Sequence, residues 1–266
     1  MDLLVESARE RIFNVPPVVV GLAACLCFIQ LMMAFVLPAD ESETLLELFA
    51  FDPLRYGSTL PPGDALPGGF AADIWTFVTY AFLHLNLTHL VFNLIWLVAF
   101  GTPVARRFGT WRFLGFFALT AAAGALAHLV SHIGQNVPAI GASAAVLGLM
   151  AAAMRFVFQP GGPLGLLRLS EEETYRVPAK PLAAMFRDRR MLMFLLAWFG
   201  LNALFALPQL AMPGIEGSVA WQAHIGGFVA GLVAFAAFDP VKPEPMVEGG
   251  PEGDDQATSD ERSTPQ

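Results

Sequence analysis

The chain has 266 residues, 55% hydrophobic and only 14% charged, with a formal net charge of -8 and a positive mean hydropathy. Soluble domains carry about 25% charged residues, so this balance excludes an ordinary soluble domain and points to a polytopic membrane protein. No basic stripe interleaved with aromatic residues is present, which argues against nucleic acid as a partner.

Residues 1–15 are polar and mixed in charge, and are expected to form a cytoplasmic N-terminal segment ahead of a membrane domain over 16–238. The apolar run from Pro16 to Leu37 is long enough for one crossing. Its length, with no small-residue cleavage site after it, reads as a retained helix rather than a signal peptide. Cys25 and Cys27, two apart, would face different sides of that helix, so neither a disulfide nor a metal pair is expected.

Residues 38–73 read as an acidic outer loop. Within it Leu45, Leu46, Leu48, Phe49 and Phe51 could form a short amphipathic piece on the membrane surface, or simply a partly buried loop. Five further apolar runs predict spans near 80–101, 112–132, 139–157, 191–210 and 218–238. A Pro-, Gly- and charge-rich connection over 158–190 reads as a cytoplasmic loop. The acidic tail 239–266 cannot bury a core and is expected to be disordered.

With the N-terminus inside, fourteen of the fifteen lysines and arginines fall on inner segments and only Arg55 on an outer one. The positive-inside rule then predicts an all-α bundle of six transmembrane helices with both termini cytoplasmic.

Polar groups inside such spans are costly and usually mark a site. Three stretches carry them: HLNLTHLVFN (84–93), VPAIGASAAVLGLM (137–150) and AWQAHIGGFVAG (220–231). On the expected spans His89, Ser143 and His224 lie about nine, four and six residues below the outer ends. That puts them in one layer about 6–14 Å deep at 1.5 Å per residue.

A serine hydroxyl needs a base to become a nucleophile, and a neutral imidazole suits that task. Ser143 and His224 are the candidate pair. Gly141 and Ala142 leave room for a scissile carbonyl. Gly227 and Gly231 form a GxxxG that lets the histidine helix approach Ala142, Ala145 and Gly148 closely. The start of the Ser143 helix offers free backbone N–H groups, that of Ser143 among them, for a developing oxyanion. His89 and Asn93, four apart on one face, could add side-chain donors. His84 is expected to point elsewhere as a structural residue. No Asp or Glu lies at that depth, so a dyad is expected rather than a triad. His128 and His132 are also spaced i, i+4, but no third ligand is evident and neither a metal nor another cofactor is expected.

Three motifs in this order resemble those of the rhomboid family of intramembrane serine proteases: HxxxxHxxxN at His84, His89 and Asn93, GxS at Gly141–Ser143, and AHxxGxxxG from Ala223 to Gly231. The resemblance covers about residues 70–238. It implies a six-helix fold with a cavity open to the outer face, Ser143 as nucleophile and His224 as base. It also implies an oxyanion hole of His89, Asn93 and the Ser143 N–H. The implied partners are the lipid bilayer and transmembrane proteins, which would be cut near their outer ends. The sequence departs from the family pattern in four places. Ala144 follows the serine where glycine is usual, and its methyl is expected to alter the width of the cavity. Leu147 stands where an aromatic ring would stack on the histidine. Trp75-Thr76 is the nearest match to a loop Trp-Arg pair. Ala105 replaces an acidic residue. The competing readings are a non-catalytic relative that binds transmembrane helices, which should have lost the serine or histidine, and a proton-relaying transporter, which should show inverted repeats.

Overall fold

A computed structural model describes residues 15–57, 66–165, 170, 173–205 and 220–241, with 201–205 as backbone only. The expectations for residues 1–14, for the connection before the last span and for the tail from residue 242 lie outside these residues.

Ten α-helices follow one another among the described residues. The first, α1 (Pro17–Leu31), opens with proline at its first position, where the missing N–H costs nothing, and continues through a wide π-type turn over Met32–Val36. In α2 (Ala39–Phe49), Asp40 and Glu41 sit in the first turn, favourable against the helix dipole. The expected amphipathic piece is the second half of this helix plus the return through Phe51. Arg55 fastens α2 to the chain beyond it by donating to the Glu47 and Pro67 carbonyls at 2.6 and 3.0 Å. Trp75 does the same through Nε1 to the Leu48 carbonyl at 2.9 Å.

The second expected span begins later than its hydropathy suggests. Residues 69–79 form a separate helix, α3 (Gly69–Thr79), closed by a 3-10 turn at Tyr80–Phe82. The spanning helix starts at Leu87 because Asn86 caps it, its Oδ1 accepting the His89 N–H at 2.9 Å. It runs as α4 (Leu87–Trp96) through a π-type turn at Leu97–Gly101 into α5 (Thr102–Phe108). Next come α6 (Thr110–His132), α7 (Ser143–Met154), the single turn α8 (Leu182–Met185), α9 (Arg189–Phe205) and α10 (Trp221–Phe238).

Among the described residues four helical runs are long and apolar enough to cross a membrane: Pro17–Val36, Leu87–Phe108, Thr110–His132 and Trp221–Phe238. The protein is therefore an all-helical, multi-pass membrane protein. Of the other two expected spans, α7 has 12 residues, about 18 Å long against a hydrocarbon thickness of about 30 Å. The described part of α9 has 17 residues. No strand occurs among the described residues, only an isolated antiparallel bridge between Phe51 and Ala139.

The core is the junction of α6, α7 and α10, and glycines set its spacing. A Cβ on Gly226 would come within 2.5 Å of Ala127 Cβ on α6. Cβ atoms on Gly227 and Gly231 would run into the backbones of Ala144 and Gly148 on α7. Adjacent glycines thus serve two different neighbours, and α10 wedges between both helices. Large apolar side chains such as Phe28, Val91, Leu126, Val130 and Val233 cover the outside, as expected of a surface in lipid. At the end of the bundle away from the N-termini of α4, α7 and α10, Arg107 grips Asp239 through two 2.8 Å bonds and donates to the Tyr175 and Val177 carbonyls. Arg155 ties Lys180 and Leu232 carbonyls there. Cutting a buried ion pair on one side costs about 3–5 kcal/mol, so this knot fixes the end of α10 firmly.

Candidate functional site

Ser143 is the first residue of α7, His89 the third of α4 and His224 the fourth of α10. Each occupies the first turn of its helix, so the common level comes from helix starts rather than from the depths counted along longer spans. Gly141 explains why α7 begins where it does. Its φ of +115° belongs to the left-handed region, which a side chain would strain. A Cβ there would also lie 2.6 Å from His89 Cε1 and 2.8 Å from His89 Nε2. The glycine therefore permits both the turn and the approach of the imidazole.

His224 Nε2 lies 2.7 Å from Ser143 Oγ, joining residues 81 apart in sequence. With the proton on Nδ1, Nε2 accepts from the serine hydroxyl. Every other residue of α7, Ala144 to Met154, is buried. Ser143 is half-buried, the one position at which this helix opens. Its backbone N–H, at the start of the helix, has no intrahelical acceptor.

His89 is oriented by a long bond, 3.4 Å, from the Leu85 N–H to Nδ1. An acceptor role for Nδ1 leaves the proton of the neutral ring on Nε2, the atom beside Gly141. The Asn93 amide donates to the His89 carbonyl at 3.0 Å and is buried. The position a Gly141 Cβ would take lies 3.8 Å from that amide nitrogen, and one of its two protons remains for another acceptor.

His84 does not point away. Since α4 starts only at Leu87, the reversal at residues 83–86 folds its ring edge-on against that of His89, centroids 5.2 Å apart. The methyl of Ala144 faces α6, where Gly124 makes room for it, and not the serine. Leu147 joins an apolar cluster with Met150, Phe228 and Leu232. Thr76 turns its hydroxyl onto the Ala72 carbonyl, and Ala105 is buried in the core. Outside the spans, burial pushes the Asp52 carboxyl above the ordinary aspartate range, against the pull of the Leu54 N–H bonded to it. No group of three or more metal-ligating side chains occurs among the described residues.

Several contributors escaped sequence reading. The Tyr80 carbonyl accepts the Gly141 N–H at 2.9 Å, while its hydroxyl donates to the Ala121 carbonyl at 2.9 Å. Phe51 pairs both its N–H and carbonyl with Ala139. Asn86 did carry a signal, being a capping residue three positions before His89. Phe51 toward Ala139 and Tyr80 toward Gly141 act through main-chain atoms, and those contacts carried none.

A membrane-embedded helical bundle with a serine and a histidine in hydrogen-bond contact at the starts of two facing helices defines the class. The Rhomboid domain model matches residues 71–239, and the chain belongs to the rhomboid family. Similar curated proteins include "Rhomboid protease GluP" of Bacillus subtilis, 29% identical over 124 residues, covering 47% of this chain and 22% of the relative. "RHOMBOID-like protein 6, mitochondrial" of Arabidopsis thaliana is 29% identical over 123 residues, covering 42% and 39%. "RHOMBOID-like protein 12, mitochondrial" of the same plant is 34% identical over 91 residues, covering 28% and 27%. The chain thus spans well under half the length of each of these relatives.

Proposed function

We propose that this protein is an intramembrane serine protease that cleaves transmembrane segments of other membrane proteins with a Ser143–His224 dyad. The 2.7 Å contact between His224 Nε2 and Ser143 Oγ carries the reading. Family membership and the relative bearing the name of a protease support it.

In the first half-reaction Ser143 Oγ attacks the scissile carbonyl carbon while its proton passes to His224 Nε2. The oxyanion that forms is met by the Ser143 N–H, His89 Nε2–H and the free proton of the Asn93 amide. Collapse breaks the C–N bond, His224 returns the proton to the leaving amine, and an ester to Ser143 remains. Water, deprotonated by His224, then hydrolyses the ester and restores the hydroxyl. A peptide must leave its helical form for its carbonyl to reach this hydroxyl, so substrates with helix-breaking residues near the cut are favoured.

We also propose that α7 and α9 complete a set of six membrane helices with both termini in the cytoplasm. In this arrangement the starts of α4, α7 and α10, and the dyad with them, face the opposite side; the distribution of arginine and lysine supports this reading. The purified protein should cut a model transmembrane substrate, and Ser143→Ala and His224→Ala should each abolish cleavage without lowering melting temperature. Cleavage by the Ser143→Ala protein would refute the assignment.

A further inference from the structure

The segment that delivers Ser143 is held at alternate residues. The Val137 carbonyl receives His128 Nε2 at 2.8 Å. Ala139 exchanges both backbone bonds with Phe51, at 2.8 and 3.1 Å, and the Gly141 N–H goes to the Tyr80 carbonyl at 2.9 Å. The bonds fall at residues 137, 139 and 141, so three separate elements grip this segment up to two residues short of the nucleophile. Two of the three grips are main chain to main chain. The third is a side chain, and it is the one that a substitution removes directly.

We infer that His128 is a positioning residue for the proposed protease, fixing the path of residues 137–142 and thereby the placement of Ser143 opposite His224. The inference rests on the serine-protease reading. His128 is buried on α6, 4% exposed. A carbonyl can only accept, so the contact to Val137 puts the ring proton on Nε2. His132 Nδ1 in turn donates to the His128 carbonyl at 3.1 Å, and the two rings lie 4.5 Å apart. His132 thus braces the last turn of α6 from within, and of the two it is the His128 side chain that reaches the chain leading into α7. Sideways displacement of a reacting group by about 1 Å can cost about 100-fold in rate, so a strap this near the nucleophile bears on rate more than on substrate affinity.

Three variants separate the donor from the ring. In His128→Gln the side-chain amide nitrogen stands close to where Nε2 was and can still reach Val137. His128→Asn has the same chemistry but falls short, and His128→Leu fills the space without a donor. Two readouts are compared with the wild type: the rate at which a fluorophosphonate labels Ser143, with kcat and KM on a model transmembrane substrate, and hydrogen–deuterium exchange over residues 137–142. His128→Asn and His128→Leu should lose about 10-fold or more in labelling rate and kcat, with KM little changed. Exchange at Ala139 and Gly141 should quicken in both. His128→Gln should stay within about 3-fold of wild type in rate, with exchange unchanged. Wild-type labelling by His128→Asn overturns the inference whether or not exchange quickens, and so does a loss in His128→Gln equal to that in His128→Asn. A wild-type protein that takes no label sinks the protease reading instead. The exchange measurement then still decides, unaided, whether His128 holds the segment.

Discussion

Among single side chains, the polar groups with the largest consequences are those with one replaceable partner. Asn93 gives one amide proton to His89 and keeps the other, so Asn93→Ala removes a proposed oxyanion donor without opening the fold. One such donor is worth about 2.7–4 kcal/mol at the strong end, and turnover should fall about 10-fold or more while fluorophosphonate access persists; unchanged turnover would return Asn93 to a packing role. Asp52 tests the segment between α2 and α3 through pH. Burial raises its carboxyl, so the folded protein holds that proton more tightly than the unfolded chain. Stability must then fall as pH rises from 3.8 through the raised value. Asp52→Asn keeps an acceptor for the Leu54 N–H and loses the charge, so its melting temperature should gain on wild type between acid and neutral pH; a constant difference would remove the burial argument. Ser143 and His224 were legible as a candidate pair because a hydroxyl and an imidazole stand out against apolar spans. The contact of His84 with His89 was not, because it depends on a chain reversal that five-residue spacing does not encode.

Helices were readable as apolar runs and misread at their ends. The run from Phe77 to Leu97 is apolar on average, and its polar residues, His84, Asn86 and His89 among them, read as one polar stretch within a span, so hydropathy could not see the break at residues 83–86 that separates α3 from α4. The 12-residue α7 was likewise merged with the extended chain before it, although Gly141 marks the boundary. The glycine spacing on α10 was legible as close packing against the Ser143 helix. The nearest atoms to the two glycines belong to Ala144 and Gly148; the sequence points to Gly148 and not to Ala144. Gly227→Ala tests this contact, since its Cβ would strike the Ala144 backbone, which cannot rotate away. It should cost about 1–3 kcal/mol of stability and slow labelling of Ser143. Gly21→Ala on α1, with nothing within 4 Å of the added methyl, should do neither. Equal effects from the two would mean that α10 does not approach α7 in this way.

Over the whole molecule, the balance of apolar and charged residues announced a membrane protein, and the motif order announced the family. What composition could not reveal is that the Tyr175, Val177 and Lys180 carbonyls, between α7 and α9, are collected by Arg107 and Arg155 beside Asp239. Those arginines counted only as positive charge in a topology argument, yet they also fasten the ends of α5, α7 and α10. The proposed topology predicts that epitope tags at the two ends of the chain are reached from the same side of sealed membranes; tags reached from opposite sides would break the six-helix arrangement. The most direct test of the account is the covalent adduct formed by a fluorophosphonate on the purified protein, mapped by mass spectrometry. A phosphonylated Ser143 in wild type, absent in His224→Ala, is the predicted result. An unlabelled Ser143, or one labelled equally without His224, would contradict the dyad.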